Sequence, residues 1–327
     1  MNSFGNLFRI TLYGASHESE VGVIIDGCLP GLALSVNDFT EIINRRKPTA
    51  TGGTLRNESD TPEFRSGIYQ GFTTGAPLNI SFRNRDVKSE DYNFDGFYRP
   101  GHADYTASVK YQGYSDPRGG GIFSGRMTLP LVAAGVVALK MLQGISVSAE
   151  LVKAGGSTEI HAAVQNASQH GDSVGGVVKC EICGVPAGWG EPFFDSVESL
   201  LSHLLFSVPG IRAISFGDGV ESADMLGSEF NDVFIGENGE TATNHSGGIN
   251  GGITNGNNLI FSVYCKPTSS ITKGQQTFNF TAKEMSHFSV PGRHDVCFAL
   301  RIPVIIEAAA AIVLADLKLL HFNNCCR

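Results

Sequence analysis

The chain has 327 residues, 42% of them hydrophobic and 17% charged, with a formal net charge of −8 at pH 7. That balance argues against general binding to nucleic acid or to anionic membranes, which draw on a basic excess. It makes local clusters of arginine informative, because an acidic protein concentrates positive charge where an anionic small molecule has to sit.

Residues 7–13 (LFRITLY) and the run VGVIIDGCLPG read as two strands, joined by a turn that carries His17. A histidine at a sheet end suits a site, though an ordinary surface histidine fits as well. Ser35 to Lys47 reads as a helix capped by Ser35 or Asn37, with Phe39, Ile42 and Ile43 on one face and Pro48 as its stop. It closes on Arg45, Arg46 and Lys47; the helix dipole accounts for one cation more comfortably than for three in a row. Thr49 to Asp60 is a polar loop carrying Arg56, and Ile68 to Phe82 holds strand-like runs around the turn Thr73-Thr74-Gly75.

The densest stretch runs from Arg99 to Thr128, RPGHADYTASVKYQGYSDPRGGGIFSGRMT. Its apolar residues follow neither a helical nor a strand period, so burial does not explain its composition. Arg99, His102, Asp104, Lys110, Asp116, Arg118 and Arg126 are too many charges for a connector. Gly119-Gly120-Gly121 lets backbone approach a ligand more closely than any Cβ would permit. The stretch reads as active-site wall. A helix follows, with Thr128 as cap, Pro130 in the first turn and an end at Gly144; its N-terminus is a natural seat for an anion.

Residues 145–187 read as two or three strands with a polar middle, Asp195 to Ser207 as a helix opened by a capping box from Asp195 to Glu198, and Ile211 to Gly217 as a strand. Asn244 to Gly256 (NHSGGINGGITNG) is a second glycine-rich loop leading to the strand LIFSVYC. The following Lys266-Pro267-Thr268-Ser269-Ser270 offers a point charge and several hydroxyls, which can hold a phosphate. It is not a Walker loop, and an ordinary turn fits as well. Gly292-Arg293-His294-Asp295 precedes an apolar helix, Pro303 to Leu320. Glu307 and Asp316 interrupt that helix, so it reads as buried rather than as a membrane span.

The N-terminus lacks the basic start and apolar run of a signal peptide. Cys180 and Cys183 fall on opposite faces of a strand, and no set of zinc ligands has suitable spacing. Reduced, structural cysteines in a cytoplasmic protein without a metal are the expectation. With no short repeat and no linker, one α+β domain over residues 1–327 is expected. Taken together, two histidines imply proton management near neutral pH, several arginines imply a substrate with more than one negative group, and the glycine loops imply a flat or phosphate-bearing cofactor. No Ser–His–Asp set is recognisable, and GxGxxG is absent, which removes the dinucleotide fold from consideration.

The runs GASHE, INRRKP, RPGHADYT with KY, D-x-RGGG, GVPAGWGEP, NHSGGINGGITNG, KPTSSI and GRHDVC occur in this order between residues 14 and 297. In them the chain resembles the chorismate synthases. The resemblance covers nearly the whole chain and implies a single-domain β-α-β sandwich with helices between two antiparallel sheets. It implies a 1,4-anti elimination of phosphate from 5-enolpyruvylshikimate-3-phosphate to give chorismate, the last step of the shikimate pathway. It also implies reduced FMN (FMNH2), which lends electron density without net redox change. By motif match, His17 and His102 correspond to the catalytic histidines and Asp295 to the acid that assists proton removal. Arg46, Arg99 and Arg126 match substrate-binding arginines. Ile122, Phe123, Ser124, Pro209, Gly210, Gly251, Lys266, Pro267, Thr268, Ser269, Ser270 and Arg293 fall at flavin-contacting positions. The family pattern further implies a cytoplasmic homotetramer and, with no segment left for a reductase, an external flavin reductase or reductant such as NADPH. Nucleic acid and membrane are not expected partners.

The chain departs from the pattern in places. Arg-Ser-Ser-Ala-Arg-Glu-Thr after the triple glycine is Ile122-Phe123-Ser124-Gly125-Arg126-Met127-Thr128 here, so flavin contacts at Ile122 and Phe123 are backbone or apolar ones. Glu18 stands for a glycine after His17, and Gly52 for an arginine. A non-catalytic flavin- or phosphate-binding protein on the same scaffold is the alternative reading, and a flavin-independent phosphate lyase a third.

Overall fold

The N-terminal part of the chain builds an antiparallel sheet whose inner face is set by simple alternation. In the computed structural model, which describes residues 2–47, 59–85, 94, 96–291 and 294–325, β1 (Ser3–Phe4), β2 (Arg9–Gly14) and β3 (Glu20–Asp26) form a meander and α1 (Asn37–Arg46) follows. β4 (Glu63–Ser66), a small hairpin of β5 (Ile68–Tyr69) and β6 (Phe72–Thr73), and β7 (Leu78–Arg83) return to it. The sheet order is β1-β2-β3-β7-β4. Val21, Val23 and Ile25 of β3 and Leu78, Ile80 and Phe82 of β7 all point inward and are fully buried, as a period of two places them.

α2 (Asp104–Lys110) and two 3-10 turns, Arg118–Phe123 and Gly125–Met127, lead into α3 (Thr128–Met141). Then come β8 (Ser146–Ala154), α4 (Ile160–Gln169), β9 (Gly176–Cys183), α5 (Val197–Leu205), β10 (Ile211–Phe216) and the single turn α6 (Gly227–Phe230). The hairpin β11 (Ile249–Asn250) and β12 (Ile253–Thr254), strand β13 (Leu259–Cys265), the hairpin β14 (Gln275–Asn279) and β15 (Glu284–Phe288), and α7 (Ile302–Cys325) complete the chain. The second sheet runs β10-β13-β9-β8, antiparallel throughout.

Helices α3 and α7 pack on each other; α3 also touches β2, β3 and β7, and α7 touches β8 and β9. α3 is buried almost all round, so its small residues serve close approach rather than amphipathicity. A Cβ at Gly135 would lie 2.3 Å from the Cβ of Ala308, which is why the helices meet at a glycine. The segment Phe298–Asn323 is long and apolar enough by composition to cross a membrane, yet 78% of its apolar window is buried inside the protein.

Its two acids have specific partners. Glu307 takes both guanidinium Nη atoms of Arg45 at 2.7 Å and accepts the Ala149 N–H at 3.0 Å. Asp316 accepts the N–H groups of Asn6, Leu7 and Phe8 at 2.8, 2.7 and 2.8 Å. Both acids are buried, and each satisfies the rule that buried charge must be paired or hydrogen-bonded.

Several expected boundaries shift. Residues 145–187 contain a helix, α4, between two strands. Ile160, Ala163, Val164 and Ala167 recur at helical spacing in a polar segment, with Val164 and Ala167 buried. Helix α5 is capped by Ser196, whose Oγ accepts the Ser199 N–H at 3.1 Å; Asp195 lies in a 3-10 turn ahead of it. Thr128 is the first helical residue of α3 rather than its cap, and its Oγ1 donates back to the Gly125 carbonyl at 2.7 Å. At the start of α1 no side-chain cap bond forms; the Ser35 N–H and Oγ–H, expected to cap the helix, both donate to Asp38 instead.

Candidate functional site

Three consecutive left-handed glycines form the hub of the site. Gly119, Gly120 and Gly121 have φ of 59°, 79° and 54°, a run that L side chains do not sustain. A Cβ at Gly119 would fall 2.1 Å from the His17 ring, and one at Gly120 would meet the Cε1–Nε2 edge of His102 at 3.7 Å. The Gly121 carbonyl accepts the Ser16 N–H at 3.2 Å. Residues 85 positions apart in sequence, the two histidines therefore flank one turn.

His102 is held from behind. Its Nδ1 lies 2.6 Å from Asp104 Oδ1, and Arg99 forks the same carboxylate at 2.7 and 2.8 Å. The ionised Asp104 carboxylate only accepts, so it fixes Nδ1 as the protonated nitrogen and leaves proton exchange to Nε2, the edge facing Gly120; Arg99 Nη2, 3.1 Å from the same Nδ1, is then a close neighbour rather than a donor to it. Burial pushes the Asp104 carboxyl up, but Arg99 and His102 outweigh it and hold it well below the usual carboxylate range.

Arg99 also donates to Ser270 Oγ at 3.2 Å, which joins the Arg99–Asp104 loop to the run Lys266–Ser270. Lys266 Nζ and Ser269 Oγ both donate to the Gly101 carbonyl at 2.8 Å, and Lys266 Nζ also donates to Ser269 Oγ. The Lys266 N–H bonds the Gly210 carbonyl at 2.9 Å, bringing Pro209-Gly210 alongside. A Cβ at Gly210 would strike the Phe298 ring at 2.1 Å. Pro267 is exposed. From Phe298 the next turn of chain reaches Arg301, which is paired with Asp295.

Arg46, Pro209, Phe298 and Arg301 line one small cavity of about 40 Å³. Burial and then the neighbouring Arg46 charge push Arg301 down to about 10. Arg46 donates to Asp60 Oδ2 at 2.9 Å, and Arg126 to Oδ1 of the same residue at 2.5 Å. Arg126 Nε reaches Asn84 at 2.9 Å, and Asn84 Nδ2 donates to the carbonyls of Ala15 and Glu18 on either side of His17. The contacts thus run in a closed ring: His17, the glycine turn, His102, Arg99, the 266–270 loop, Gly210, Arg301, Arg46, Asp60, Arg126 and back to His17.

Residues 8–319 match the family model described as chorismate synthase. This chain belongs to the chorismate synthase family. A chorismate synthase of Chitinophaga pinensis is 52% identical over 323 residues, covering 98% of this chain and 97% of the relative. One of Lachnoclostridium phytofermentans is 41% identical over 350 residues, covering 97% and 95%, and one of Korarchaeum cryptofilum 39% identical over 347, covering 96% of each. The fold is similar to that of a solved crystal structure of chorismate synthase, with a TM-score of 0.74 at 23% identity over 96% of this chain and 92% of that one.

Most positions that the chorismate synthase pattern points to lie on the ring or beside it. Ile122 and Phe123 follow the glycine turn and, with Tyr111, separate two cavities. One of about 760 Å³ touches Ala15, Glu18, Asp104 and Gly120; one of about 350 Å³ touches Met127, Thr128 and Pro209. The larger lies within the range of about 300–1,000 Å³ usual for small-molecule sites. Ser124 Oγ accepts the Arg126 N–H at 3.3 Å. Gly251 sits in the β11–β12 turn with open space where a Cβ would project, while its neighbour Gly252 packs on Glu191 and Ser196. Arg293, Arg56 and Gly52 lie outside the described residues.

Sequence reading passed over Asp60, Asn84 and Arg301. Asp60 and Asn84 carry no motif. Arg301 follows Asp295 by six residues, and its place one turn ahead of α7 was the available signal.

Proposed function

We propose that the chain has chorismate synthase activity, eliminating phosphate from 5-enolpyruvylshikimate-3-phosphate, 1,4-anti, to give chorismate, as a carbon–oxygen lyase acting on a phosphate. The observation that carries this reading is the pair of histidines on one glycine turn beside buried arginines. The substrate has two carboxylates and a phosphate. Arg46, Arg99 and Arg126 are the cations that hold these groups, and a guanidinium at the leaving oxygen stabilises the charge that develops there.

His17 and His102 are the proton donors, one to the departing phosphate and one to the cofactor. Because Asp104 occupies Nδ1 of His102, the proton it exchanges is on Nε2. Asp295, its carboxylate held by Arg301, assists removal of the substrate proton.

Reduced FMN is the cofactor this reading requires, and the residues present fit its phosphate. Thr268 Oγ1 is buried without a hydrogen-bond partner, and burial together with Arg212 lowers the Lys266 pKa. An incoming phosphate would supply the acceptor that Thr268 lacks and the counter-charge that Lys266 lacks. Ile122, Phe123, Ser124, Pro209, Gly210, Gly251, Lys266 to Ser270 and Arg293 are the residues that would hold FMN. When bound and reduced, it would lend electron density to the substrate as phosphate leaves and recover it as the proton is lost. In this reading the chain is one domain with α3 and α7 between the two sheets. It works as a cytoplasmic homotetramer and receives reduced flavin from an external reductase or reductant.

Purified protein given reduced FMN and 5-enolpyruvylshikimate-3-phosphate without oxygen should release inorganic phosphate. Absence of release with flavin demonstrably bound overturns the proposal.

A further inference from the structure

At one corner of the second sheet two cations stand on neighbouring strands. β10 is the edge strand of the order β10-β13-β9-β8, and its pairing with β13 slips by one residue. Ile211 faces Cys265 and Ala213 faces Tyr264, so Arg212 is the extra residue of a bulge. Alternation along β13 buries Cys265 and turns Tyr264 outward, which puts the following Lys266 on Tyr264's side. On β10, Ile211 is buried while Arg212 and Ala213 are both exposed. Arg212 therefore shares the outward face with Lys266, as the residues of a bulge that oppose one partner do. The Lys266 N–H donates to the Gly210 carbonyl at 2.9 Å, which keeps the strands joined at this corner.

Arg212 and Lys266 are the only charged residues in 209–213 and 264–270. Among the described residues the Arg212 side chain has no hydrogen bond or ion pair. Lys266 Nζ donates to the Gly101 carbonyl and to Ser269 Oγ, both uncharged. Like charges on neighbouring strands repel, and burial and then Arg212 lower the Lys266 pKa. Two residues on, Thr268 Oγ1 is buried without a hydrogen-bond partner. One kind of ligand answers all three features. An anion with several oxygens pairs with both cations and accepts from the hydroxyl.

We propose that Arg212 is a further cofactor-binding residue, the second cation beside Lys266 on the phosphate of FMN. This rests on the reading of residues 266–270 as the seat of that phosphate. A phosphate monoester carries a charge of about −1.5 to −2 near neutral pH, so Lys266 alone leaves part of it unpaired and Arg212 completes the match. A charge in a bulge on an edge strand can also serve only to keep the edge from pairing with another chain. The two roles part on flavin binding. An edge guard is indifferent to the cofactor, whereas a phosphate ligand separates FMN from riboflavin, which has the same ring system and no phosphate.

The test measures dissociation constants for FMN and for riboflavin by quenching of flavin fluorescence, in wild type, Arg212→Gln and Arg212→Lys. Wild type should bind FMN more tightly than riboflavin. Arg212→Gln should weaken FMN binding roughly 10- to 100-fold, the range for one charge-assisted hydrogen bond, and leave riboflavin binding unchanged. Arg212→Lys, which keeps the charge, should recover at least part of the loss. An equal loss for FMN and riboflavin, or no recovery in Arg212→Lys, overturns the proposal. Self-association of Arg212→Gln with FMN affinity kept overturns it in favour of edge protection, and a raised substrate KM with FMN affinity kept in favour of a substrate contact. Should Arg212→Gln fail to fold, Arg212→Ala, which gives the bulge a second residue like Ala213, is read in the same way. No turnover is needed. A wild type that binds FMN and riboflavin equally overturns the phosphate seat at residues 266–270 and the Arg212 role with it; a wild type that prefers FMN, with Arg212→Gln unchanged, overturns the Arg212 role alone.

Discussion

Two adjacent residues at the end of α1 serve opposite ends. Arg45 meets Glu307 in a one-to-one pair, with both carboxylate oxygens taken and the Ala149 N–H added. Arg46 shares Asp60 with Arg126, two cations on one carboxylate, with Arg301 close by. The first network is balanced and joins α1 to α7 and the second sheet. The second joins α1 to the turn before α3 and lies on the ring around His17 and His102. Place, more than burial, separates the two: Arg45 reaches the core helix α7 and the second sheet, while Arg46 sits among the residues proposed to bind substrate.

Variants can break this distinction in either direction. The largest effect is expected at the ring's chemistry: His102→Ala should lower turnover roughly 10²–10⁴-fold with an unchanged melting temperature, and near-normal turnover would remove His102 from the proton path. Arg126→Gln comes next. Arg46 still pairs with Asp60 in that variant, so stability should change little while substrate turnover falls by roughly 10²-fold; a large loss of stability would show that the cluster is structural like its neighbour.

Arg45→Gln is the mirror image. It strands Glu307 beside α7, so chemical denaturation should show a loss of about 1–3 kcal/mol, with kcat and KM kept. Loss of activity in a stable Arg45 variant would erase the contrast. In the apolar part, Gly135→Ala places a Cβ against Ala308 and should cost about 1–3 kcal/mol by overpacking, with no change in KM.

The smallest effect concerns acid. The Asp104 carboxyl is held below its ordinary value, so it contributes stability that is fully present above the unfolded value of about 4 and is lost as pH falls through the folded one. Between pH 5 and pH 2 the wild type should lose more stability than Asp104→Asn, read from urea midpoints. Parallel curves would mean that the Arg99–Asp104–His102 anchor contributes nothing measurable.

What the sequence made legible follows the same line. His102, Arg99 and Arg126 stood out because charged and glycine residues crowd where no apolar period excuses them, whereas His17 showed only as a histidine in a turn at a sheet end and gained weight from the motif around it. Strands β3, β7 and β13 were visible because alternation is a local property. Asp60 was not visible, since a single aspartate in a polar loop looks like any other until two arginines from distant elements converge on it. Helix α4 was hidden by polar residues on its outer face, and the β14–β15 hairpin carries too weak an alternation to announce itself. Arg301 was overshadowed by the apolar run that follows it. For Asp60 the missing information was the identity of partners outside its own loop.

Asp316 adds a consequence for the order of assembly. Its carboxylate gathers the N–H groups of Asn6, Leu7 and Phe8, residues more than 300 positions earlier in the chain. During synthesis the start of the first sheet emerges early, but those three donors have no acceptor until the last helix has left the ribosome. The edge nearest the N-terminus is therefore seated last, and a nascent chain stalled before residue 316 should expose that edge to protease while the rest of the first sheet is already formed.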